Sequence, residues 1–462
     1  MLDVELLSKV VNKALSRGGE YADVFVEHRN TAFIHLEDEK IEKVVSGVVS
    51  GVGIRLVSNG KTFYAFGNDA SETSLMEIAD TLSKALCGTV AKLSPDMRKA
   101  RPGADLRIER YPTEVPVSEK IGHAKKADRV ARSFDRRIRQ VSVSYRDSAQ
   151  KIQVATSEGI LAHDERIHTL FAVHVIASDG GVVQTGFEMA GGHIGFELFD
   201  NLSVEELSLA ATRRAVMMLG AGKAPGGRMP VVISSEAGGT MIHEAIGHGL
   251  EADLAQRGLS AYSGKEGMEV ASKLVTVIDD ATLPHRRGSY GFDDEGTPSQ
   301  RTVLVDKGIL KGFMYDRLTA MRESVKSTGN GRRESYQHRP IPRMTNTFIA
   351  PGDAGAEEIV RSVPQGLFVK KMGGGQVNTV SGDFVFEVQE GYRIENGAVG
   401  PPVREATLTG NGPDVLKSID MIASDLGFSI GTCGKDSQGV PVSDAMPTIR
   451  IREMVVGGEI RA

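Results

Sequence analysis

A short segment with two histidines and a glutamate is the part of this 462-residue chain best suited to chemistry. It reads His243-Glu244-Ala-Ile-Gly-His248, so the two imidazoles lie five residues apart. Imidazole nitrogens bind zinc, and a carboxylate beside them can take a proton from a zinc-bound water, whose pKa the metal lowers to about 7. The segment therefore predicts a hydrolytic zinc site with His243 and His248 as ligands and Glu244 as the general base.

The spacing of the two histidines constrains the backbone that carries them. In the familiar two-histidine zinc motif the ligands are four residues apart and emerge about 40° apart around an α-helix. Five residues at ~100° each separate them by ~140°, too far for one ion unless the helix is distorted. A single π-type turn would bring them to one face, and Gly247 is where the helix could loosen. We therefore expect a π turn in this segment.

A third ligand is needed, because a catalytic zinc site keeps three protein ligands and one open position. Near the helix the candidates are Glu251 and Asp253. A distant candidate is Cys433, which is flanked by glycines in Gly431-Thr-Cys-Gly-Lys435 and is unlike a packed core cysteine. The chemistry of the residues alone leaves all three alternatives open.

The residues before this segment predict two successive units of similar order. In each unit a helix with apolar residues at helical spacing precedes alternating strands, and a second helix closes the unit. The predicted elements are a helix over 2–17, a meander over 21–66, a helix over 75–86, a helix over 117–134, strands over 141–196 and a helix over 204–219. Two related helix–meander–helix units and two ordinary α+β modules are equally good interpretations.

The predicted fold class is α+β, in three parts. Residues 1–100 and 117–222 form the two helix–meander–helix units. A segment rich in glycine and proline, residues 221–228, separates them from a third region of short strands and glycine turns. Residues 225–462 are predicted to form this β-rich domain, which carries the metal-binding helix.

Several separate blocks, in order along the chain, resemble the TldD/PmbA family of metalloproteases, and specifically its TldD-like catalytic subunits. Besides the histidine segment, the blocks are Asp293-Asp-Glu-Gly-Thr-Pro298, Arg332-Arg-Glu-Ser-Tyr336, Arg343-Met-Thr-Asn346, Gly373-Gly-Gly-Gln-Val377, Gly382-Asp-Phe-Val-Phe386 and Cys433-Gly-Lys-Asp436. After the last block this chain has Ser437 where the family pattern leads us to expect glycine.

The resemblance implies a zinc site with His243, His248 and Cys433 as ligands and Glu244 as the catalytic carboxylate. It leaves Glu251 and Asp253 in supporting roles. The implied activity is zinc-dependent hydrolysis of peptide bonds in a narrow, enclosed site that admits unfolded or short polypeptides. The implied partner is a related subunit that lacks the metal motif, with a homodimer as the alternative.

Two other functions are compatible with the same residues. One is a non-catalytic subunit that binds peptide for another enzyme, and the other is a metal-dependent amidase that acts on a small molecule. Binding without turnover would identify the first. A turnover rate that does not depend on peptide length would identify the second.

Some further residues are chemically suitable for the site but have ordinary explanations. Suitable donors for an oxyanion are Tyr290, Tyr336, His338 and Arg339, each of which is more often a packing or surface residue. The blocks 345–347 and 373–377 could hydrogen-bond to an extended peptide, but tight turns are the expected structure for both.

Composition excludes some function classes and indicates a compartment. The 55 Lys and Arg residues against 60 Asp and Glu residues give a net charge of -5, which argues against broad binding of nucleic acid or anionic membrane. Two cysteines, Cys87 and Cys433, cannot form a disulfide framework. The N-terminal residues lack the pattern of a signal peptide, and no uncharged apolar run approaches the ~18 residues of a membrane span. We therefore expect a cytoplasmic protein.

Overall fold

The structure is a computed structural model that describes residues 1–86, 88 and 96–459. Cys87, which the sequence places at the end of a helix, lies outside these residues. Elements of the N-terminal half are the helices α1 (Val4–Ala14), α2 (Glu72–Ser83), α3 (Val117–Phe134), α4 (Leu198–Asn201) and α5 (Val204–Leu219), and the strands β1 (Tyr21–Glu37), β2 (Lys40–Ser58), β3 (Lys61–Gly67), β4 (Arg98–Lys99), β5 (Ile138–Thr156), β6 (Ile160–Asp179) and β7 (Val182–His193).

The predicted helices and meanders of this half are confirmed. Helix α1 begins where the side chain of Asp3 accepts a hydrogen bond from the amide of Glu5, and it buries Leu7, Val10 and Val11. Strands β1–β3 form one antiparallel meander, and β5–β7 form the other. The predicted alternation of buried and less buried residues is clearest along β5 and β6.

The two meanders are joined edge to edge in one sheet, which their sequences do not indicate. Strands β1 and β5 pair antiparallel from Asp23 opposite Thr156 to Glu37 opposite Ser142. The order along the sheet is β3-β2-β1-β5-β6, and β7 and the short β4 both pair with β6. The first and second units therefore share a continuous hydrogen-bonded sheet.

Helices cover one face of this sheet. Alternate residues on that face form two apolar clusters, one with α1 and α2 around Val24 and Leu56, the other with α3 and α5 around Tyr145 and Val173. On the opposite face, Phe25 packs against residues of the C-terminal half. Among the described residues, no helix packs on the remainder of the opposite face, around Phe33 and Arg146.

The C-terminal half contains mostly strands. Its helices are α6 (Thr240–Ile242), α7 (Ala252–Gln256), α8 (Arg317–Glu323), α9 (Ala356–Arg361) and α10 (Gly412–Lys417), and its strands are β8 (Gly222–Lys223), β9 (Gly227–Ile233), β10 (Val277–Asp280), β11 (Arg301–Asp306), β12 (Ile309–Leu310), β13 (Gly331–Arg332), β14 (Ile341–Pro342), β15 (Asn346–Ile349), β16 (Gln365–Val377), β17 (Asp383–Glu395), β18 (Ala398–Arg404), β19 (Thr407–Asn411), β20 (Ile419–Ile422), β21 (Gly427–Lys435), β22 (Gln438–Met446) and β23 (Ile449–Gly457). The α+β class predicted from the sequence is confirmed.

Two sheets of this half position the candidate site. In one, the order is β12-β11-β10-β15-β22-β21, which leaves β21 at an edge. In the other, β16, β9, β23, β19 and β17 pair in succession, and β17 pairs back to β16, so the strands close into a ring. The apolar side of the histidine segment, including Ile242 and Ile246, shares one core with Phe386 and Leu408 of this ring.

The prediction of tight turns at 345–347 and 373–377 is wrong, because both blocks belong largely to strands. Residues 373–377 lie in β16, and a Cβ atom at Gly375 would come within 1.9 Å of the ring of Phe386. Glycine is needed there because an aromatic side chain packs against the strand, not because the chain turns.

No helix in the part of the chain that the structure describes is long and apolar enough to cross a membrane.

A buried network of charges joins the N-terminal sheet to the C-terminal half. The guanidinium of Arg55, on β2, contacts Asp23 of β1 and lies 2.6 Å from Oε1 of Glu295. Nearby, Arg166 of β6 contacts Asp294 at 2.7 Å. Burial raises the pKa of Glu295 to about 8, although Arg55 opposes the shift. At this carboxyl group the effect of burial therefore outweighs that of the ion pair with Arg55.

This network predicts a specific pH dependence of stability. The folded-state pKa of Glu295 is above that of an unfolded glutamate, so the folded state holds this proton more tightly, and the contribution of Glu295 to stability falls as pH rises from about 4 to about 8. Replacing Glu295 with Gln should reduce that fall by about 1 kcal/mol or more. Denaturant unfolding at a series of pH values measures it, with exposed Glu77→Gln as the control; equal pH dependence in both variants would contradict it.

Candidate metal centre

The backbone of the histidine segment contains the expected distortion. Helix α6 continues into a π turn over His243–Gly247 and then a 3-10 turn over His248–Leu250. The amide of His248 donates a hydrogen bond to the carbonyl oxygen of His243, five residues earlier. The predicted π turn is therefore confirmed.

The glycine before the second histidine has a different role from the one expected. Gly247 has φ -54° and ψ -57°, which any residue adopts in a helix. A Cβ atom there would lie 2.1 Å from Sδ of Met344, a fully buried side chain. Gly247 is therefore needed for close packing against Met344, since its backbone angles do not require glycine.

The π turn places both imidazoles next to the thiol of Cys433, which β21 supplies. The three potential ligand atoms, one from each of His243, His248 and Cys433, all lie within 4.8 Å of one another. Sγ of Cys433 is 3.5 Å from Nε2 of His248, and the two imidazole rings are nearly perpendicular, with centroids 4.9 Å apart. Cys433 and His243 are buried, with 3% and 6% of their surface exposed, so the cluster is largely shielded from water.

Each histidine is oriented by a carboxylate on its other ring nitrogen. Nδ1 of His243 lies 2.7 Å from Oδ1 of Asp444 on β22, and Nδ1 of His248 lies 3.0 Å from Oε2 of Glu251. A neutral imidazole that donates from Nδ1 presents a lone pair at Nε2, the form that binds a metal. Both histidines are therefore held with Nε2 available for a metal.

Glu251 and Asp253, the two alternative ligands near the helix, bind a lysine. Lys435 lies 3.1 Å from Glu251 and donates to Oδ1 of Asp253 at 2.6 Å. Burial favours the protonated form of Glu251, but Lys435 and His248 outweigh it and lower its pKa to about 2. Neither carboxylate belongs to the cluster of ligand atoms formed by the histidines and Cys433.

The strand that carries Cys433 is held by an arginine. The guanidinium of Arg343 is fully buried, donates to the carbonyl oxygens of Cys433 and Gln438, and lies 3.9 Å from Glu251. The turn that follows uses Asp436 and Ser437 at φ 50° and 58°. Serine at the position where glycine was expected thus adopts a left-handed conformation, and β21 still pairs with β22 in regular register.

The electrostatics of the cluster favour a thiolate. Burial would raise the pKa of the Cys433 thiol, but hydrogen bonds with His243 and His248 reverse this and lower it to about 5. Burial would lower the pKa of His248, but Glu251 and Cys433 raise it to about 10. The pocket thus stabilises positive charge at the imidazoles, a charge that a bound cation would supply in place of protons.

Glu244 is half-buried beside the cluster. Burial raises the pKa of its carboxyl group, while the charges of His243 and His248 act in the opposite direction. Glu244 directly follows His243 in the π turn, so its backbone lies beside the centre. A carboxyl group with a raised pKa is suited to taking and returning a proton near neutral pH.

The four candidate oxyanion donors have other contacts in the described residues. The hydroxyl of Tyr290 donates to the carbonyl oxygen of Gly329 at 2.6 Å, and Tyr336 packs in the cluster with Phe25. His338 contacts Ser335, and Arg339 pairs with Asp436 at 3.6 Å. These contacts do not bring the four side chains to the metal centre.

Residues 345–347 form hydrogen bonds with β10 in the interior of the C-terminal half. The hydroxyl groups of Thr345 and Thr347 both donate to Asp279, at 2.8 and 2.7 Å, and the side chain of Asn346 donates to the carbonyl oxygen of Asp280. All three residues are buried. The block therefore forms internal hydrogen bonds and is not exposed to an extended peptide.

Asp444 is the site residue that the sequence analysis missed. It lies 201 residues from His243 and faces it only because β22 passes beside the histidine segment. A carboxylate inside a strand has no local signature, so a single sequence gives no signal for this contact.

Comparisons with known proteins agree with the motifs. Family models of the PmbA/TldA metallopeptidase match domain 1 at residues 22–86, the central domain at 110–219 and the C-terminal domain at 226–458. The chain belongs to the PmbA/TldD metallopeptidase family. The family resemblance that the motif blocks indicated is thus confirmed.

Relatives of this family member are similar along nearly their whole length. A metalloprotease TldD homolog of Haemophilus influenzae is 37% identical over 99% of this chain and 97% of its own. A zinc metalloprotease TldD homolog of Saccharolobus solfataricus is 27% identical over 98% of this chain and 100% of its own. The crystal structure of TldE from Thermococcus kodakarensis shares the fold, with a TM-score of 0.76 and 18% identity over 98% of this chain and 100% of that one.

Asp444 offers a test of the centre. Replacing it with Asn keeps the shape of the side chain but removes the charge that orients His243, so affinity for a divalent metal should fall about 10- to 100-fold. Metal retained during titration with a chelator measures this, with exposed Asp353→Asn as the matched control. If both variants retain metal equally, Asp444 does not support the centre.

Proposed function

We propose that this chain is a zinc-dependent peptidase that hydrolyses peptide bonds of unfolded or short polypeptides, with Glu244 as the catalytic base. The observation that carries the proposal is the buried cluster of His243, His248 and Cys433 with a carboxylate beside it. A relative named as a zinc metalloprotease adds support. Membership of the chain in a metallopeptidase family rests on the family models and relatives, and it does not depend on this proposal.

The residues present fit zinc. Two imidazole nitrogens and one thiolate are a donor set that zinc accepts, and three protein ligands leave a position open for chemistry. The Nδ1 atoms of both histidines already have carboxylate partners, so the Nε2 atoms and the Cys433 sulfur are the donors that remain. When bound, zinc would polarise the peptide carbonyl and lower the pKa of a water molecule.

The chain's own groups then have distinct roles. A carboxylate oxygen of Glu244 takes the proton of the attacking water and afterwards delivers it to the leaving amine nitrogen. Asp444 and Glu251 hold the two imidazoles in one orientation while this happens. The raised pKa of the Glu244 carboxyl group, caused by burial, lets it hold the proton between the two steps.

The proposed substrate class follows from the burial of the centre. Only 3% of the surface of Cys433 and 6% of that of His243 is exposed. An enclosed site of this kind would admit an extended or short polypeptide and exclude a folded domain. We therefore propose an enclosed site that selects for unfolded substrates.

We also propose that the chain works as a dimer in the cytoplasm. The partner would be a related subunit without the metal motif, or a second copy of this chain. Structural similarity to TldE shows a shared fold and does not by itself favour either partner. The native mass of the purified protein, alone and with co-purified subunits, would distinguish them.

Replacing Glu244 with Gln should abolish turnover without removing the metal. Gln cannot accept the proton, so hydrolysis of an unfolded labelled peptide should fall about 10²- to 10⁴-fold while zinc content per subunit stays unchanged. Glu236→Gln is a matched control, because that glutamate is exposed and precedes the same segment. Normal cleavage by the Glu244 variant would refute the proposed mechanism.

The same assay separates the alternative functions. A wild-type protein that binds the peptide but never cleaves it would be a non-catalytic subunit. Turnover that is independent of peptide length would indicate an amidase for small molecules.

Replacing Cys433 with Ser should weaken zinc binding. A hydroxyl group remains protonated at neutral pH and is a poorer ligand than a thiolate, so affinity should fall by at least about tenfold. Chelator competition measures the change, with circular dichroism as the check on folding. Unchanged metal retention would favour Glu251 as the third ligand.

A further inference from the structure

A groove crosses the face of the N-terminal sheet that lies opposite helices α1, α2, α3 and α5. It is formed by two adjoining cavities of about 470 and 260 Å³ that share Ser148, His168 and Arg287. At one end it is bordered by Phe33 and Arg146. At the other it reaches the C-terminal half, so the groove runs between the two halves of the chain.

Three arginines of this groove lack an acidic partner. In the part of the chain that the structure describes, Arg146, Arg287 and Arg332 form no ion pair with a carboxylate. Arg287 donates to the carbonyl oxygen of Gly431 at 2.9 Å, and Arg332 donates to that of Pro441 at 2.7 Å. Neutral carbonyls orient these guanidinium groups without balancing their charge.

The arginines also repel one another. Burial, together with the nearby charges of Arg332 and Arg146, lowers the pKa of Arg287 to about 10. Arg332 is 4% exposed, so little water reaches its guanidinium. Like charges that are partly withdrawn from water raise the free energy of the empty groove, and an anion would relieve this.

The acids that line the groove are largely occupied elsewhere. Asp147 binds the ammonium group of Lys120 on the helix-covered side of the sheet, and Asp294 binds Arg166. Glu334 accepts a hydrogen bond from the neutral amide of Gly439 at 2.6 Å and keeps its negative charge, which is outnumbered by the unpaired arginines. Lys43 adds a further positive charge to the lining. The groove is therefore positively charged overall, although the whole chain has a net charge of -5.

The histidine at the centre of the groove does not contribute to this charge. Burial and the nearby His193 and Arg287 lower the pKa of His168 well below its usual value, so it is neutral at pH 7. The positive charge thus comes from guanidinium and ammonium groups, which do not titrate near neutral pH. Guanidinium groups bind carboxylates with two parallel hydrogen bonds.

We propose that this groove binds a carboxylate-rich segment of the polypeptide substrate. The inference rests on the proposed peptidase function and adds a substrate preference to it. Apolar surface from Phe33 and Leu170 between the cations fits the aliphatic stems of Asp and Glu side chains. The guanidinium of Arg146 stacks over the ring of Phe33 at 4.6 Å, which holds it in place at the groove.

The groove and the metal centre lie on opposite faces of one edge strand. Thr432 of β21 lines the groove, whereas its neighbour Cys433 points to the two histidines, as alternation along a strand requires. The groove therefore cannot hold the peptide bond that reacts. It holds a segment some residues away, so the acidic residues of a substrate would flank the cleaved bond.

Binding of two matched peptides tests the inference. One carries several Asp and Glu residues at one end, and the other has Asn and Gln in their place. The Glu244→Gln protein should bind the acidic peptide more tightly in fluorescence anisotropy, and adding Arg146→Gln should weaken that binding about fivefold and reduce the preference for acid. Arg146 is exposed and has no backbone partner among its described contacts, so the substitution should not disturb folding.

A matched control lies on the other side of the sheet. Arg129 is exposed on α3, and Arg129→Gln removes the same charge away from the groove, so the preference for the acidic peptide should persist. Arg287→Gln is the second groove variant and should reduce the preference in the same way. In cleavage assays of the acidic peptide, both groove variants should raise KM more than they lower kcat.

The outcomes distinguish the two proposals. Equal affinity of the acidic and neutral peptides, or an unchanged preference in both groove variants, would overturn the inference while leaving the peptidase function intact. Tighter binding of single-stranded DNA than of the acidic peptide would overturn it in favour of a nucleic-acid site. Preferential binding of the acidic peptide by a wild-type protein that cleaves neither peptide would support the groove and refute the peptidase function.

Discussion

The spacing of two histidines in a helical segment is the constraint on which the site depends. Imidazoles five residues apart can face one ion only if one turn of the helix takes in an extra residue. The π turn at His243–Gly247 provides it, and its backbone hydrogen bond is made by His248 itself. Close packing of Met344 against Gly247 and burial of Ile242 and Ile246 in the ring of strands keep this unusual turn in place.

Burying such a site requires that its charges be balanced locally. Asp444 and Glu251 face the two imidazoles, and Lys435 and Arg343 lie behind Glu251. An isolated charge in this environment would cost several kcal/mol, so each needs a partner. Carboxylates and nitrogen-bearing groups therefore alternate across the site. Asp444 of β22 faces His243, and Glu251 lies between His248 and Lys435 of the strand that carries Cys433. This explains why residues far apart in the sequence must fold together before the centre exists.

The parts of the structure that could be predicted from the sequence are those with local signals. Helical periodicity and strand alternation located α1, α3, α5 and both meanders, and the five-residue spacing alone required the π turn. The residues alone left three candidates for the third ligand, and only the family motifs favoured Cys433. The structure brings Cys433 to the two histidines. Its assignment as a zinc ligand is still a prediction. Asp444 and the seam between β1 and β5 could not be predicted, since they depend on contacts between distant strands.

The antiparallel pairing of β1 with β5 also limits where the chain can be divided into independent fragments. The family models treat domain 1 and the central domain as separate matches, at residues 22–86 and 110–219. In the folded chain, however, β5 makes hydrogen bonds with β1 from Ser142 to Thr156. A fragment cut between these matches would expose a long unpaired strand edge, which is a template for aggregation. The two matched domains therefore share one hydrogen-bonded sheet, and neither contains all the strands that complete it.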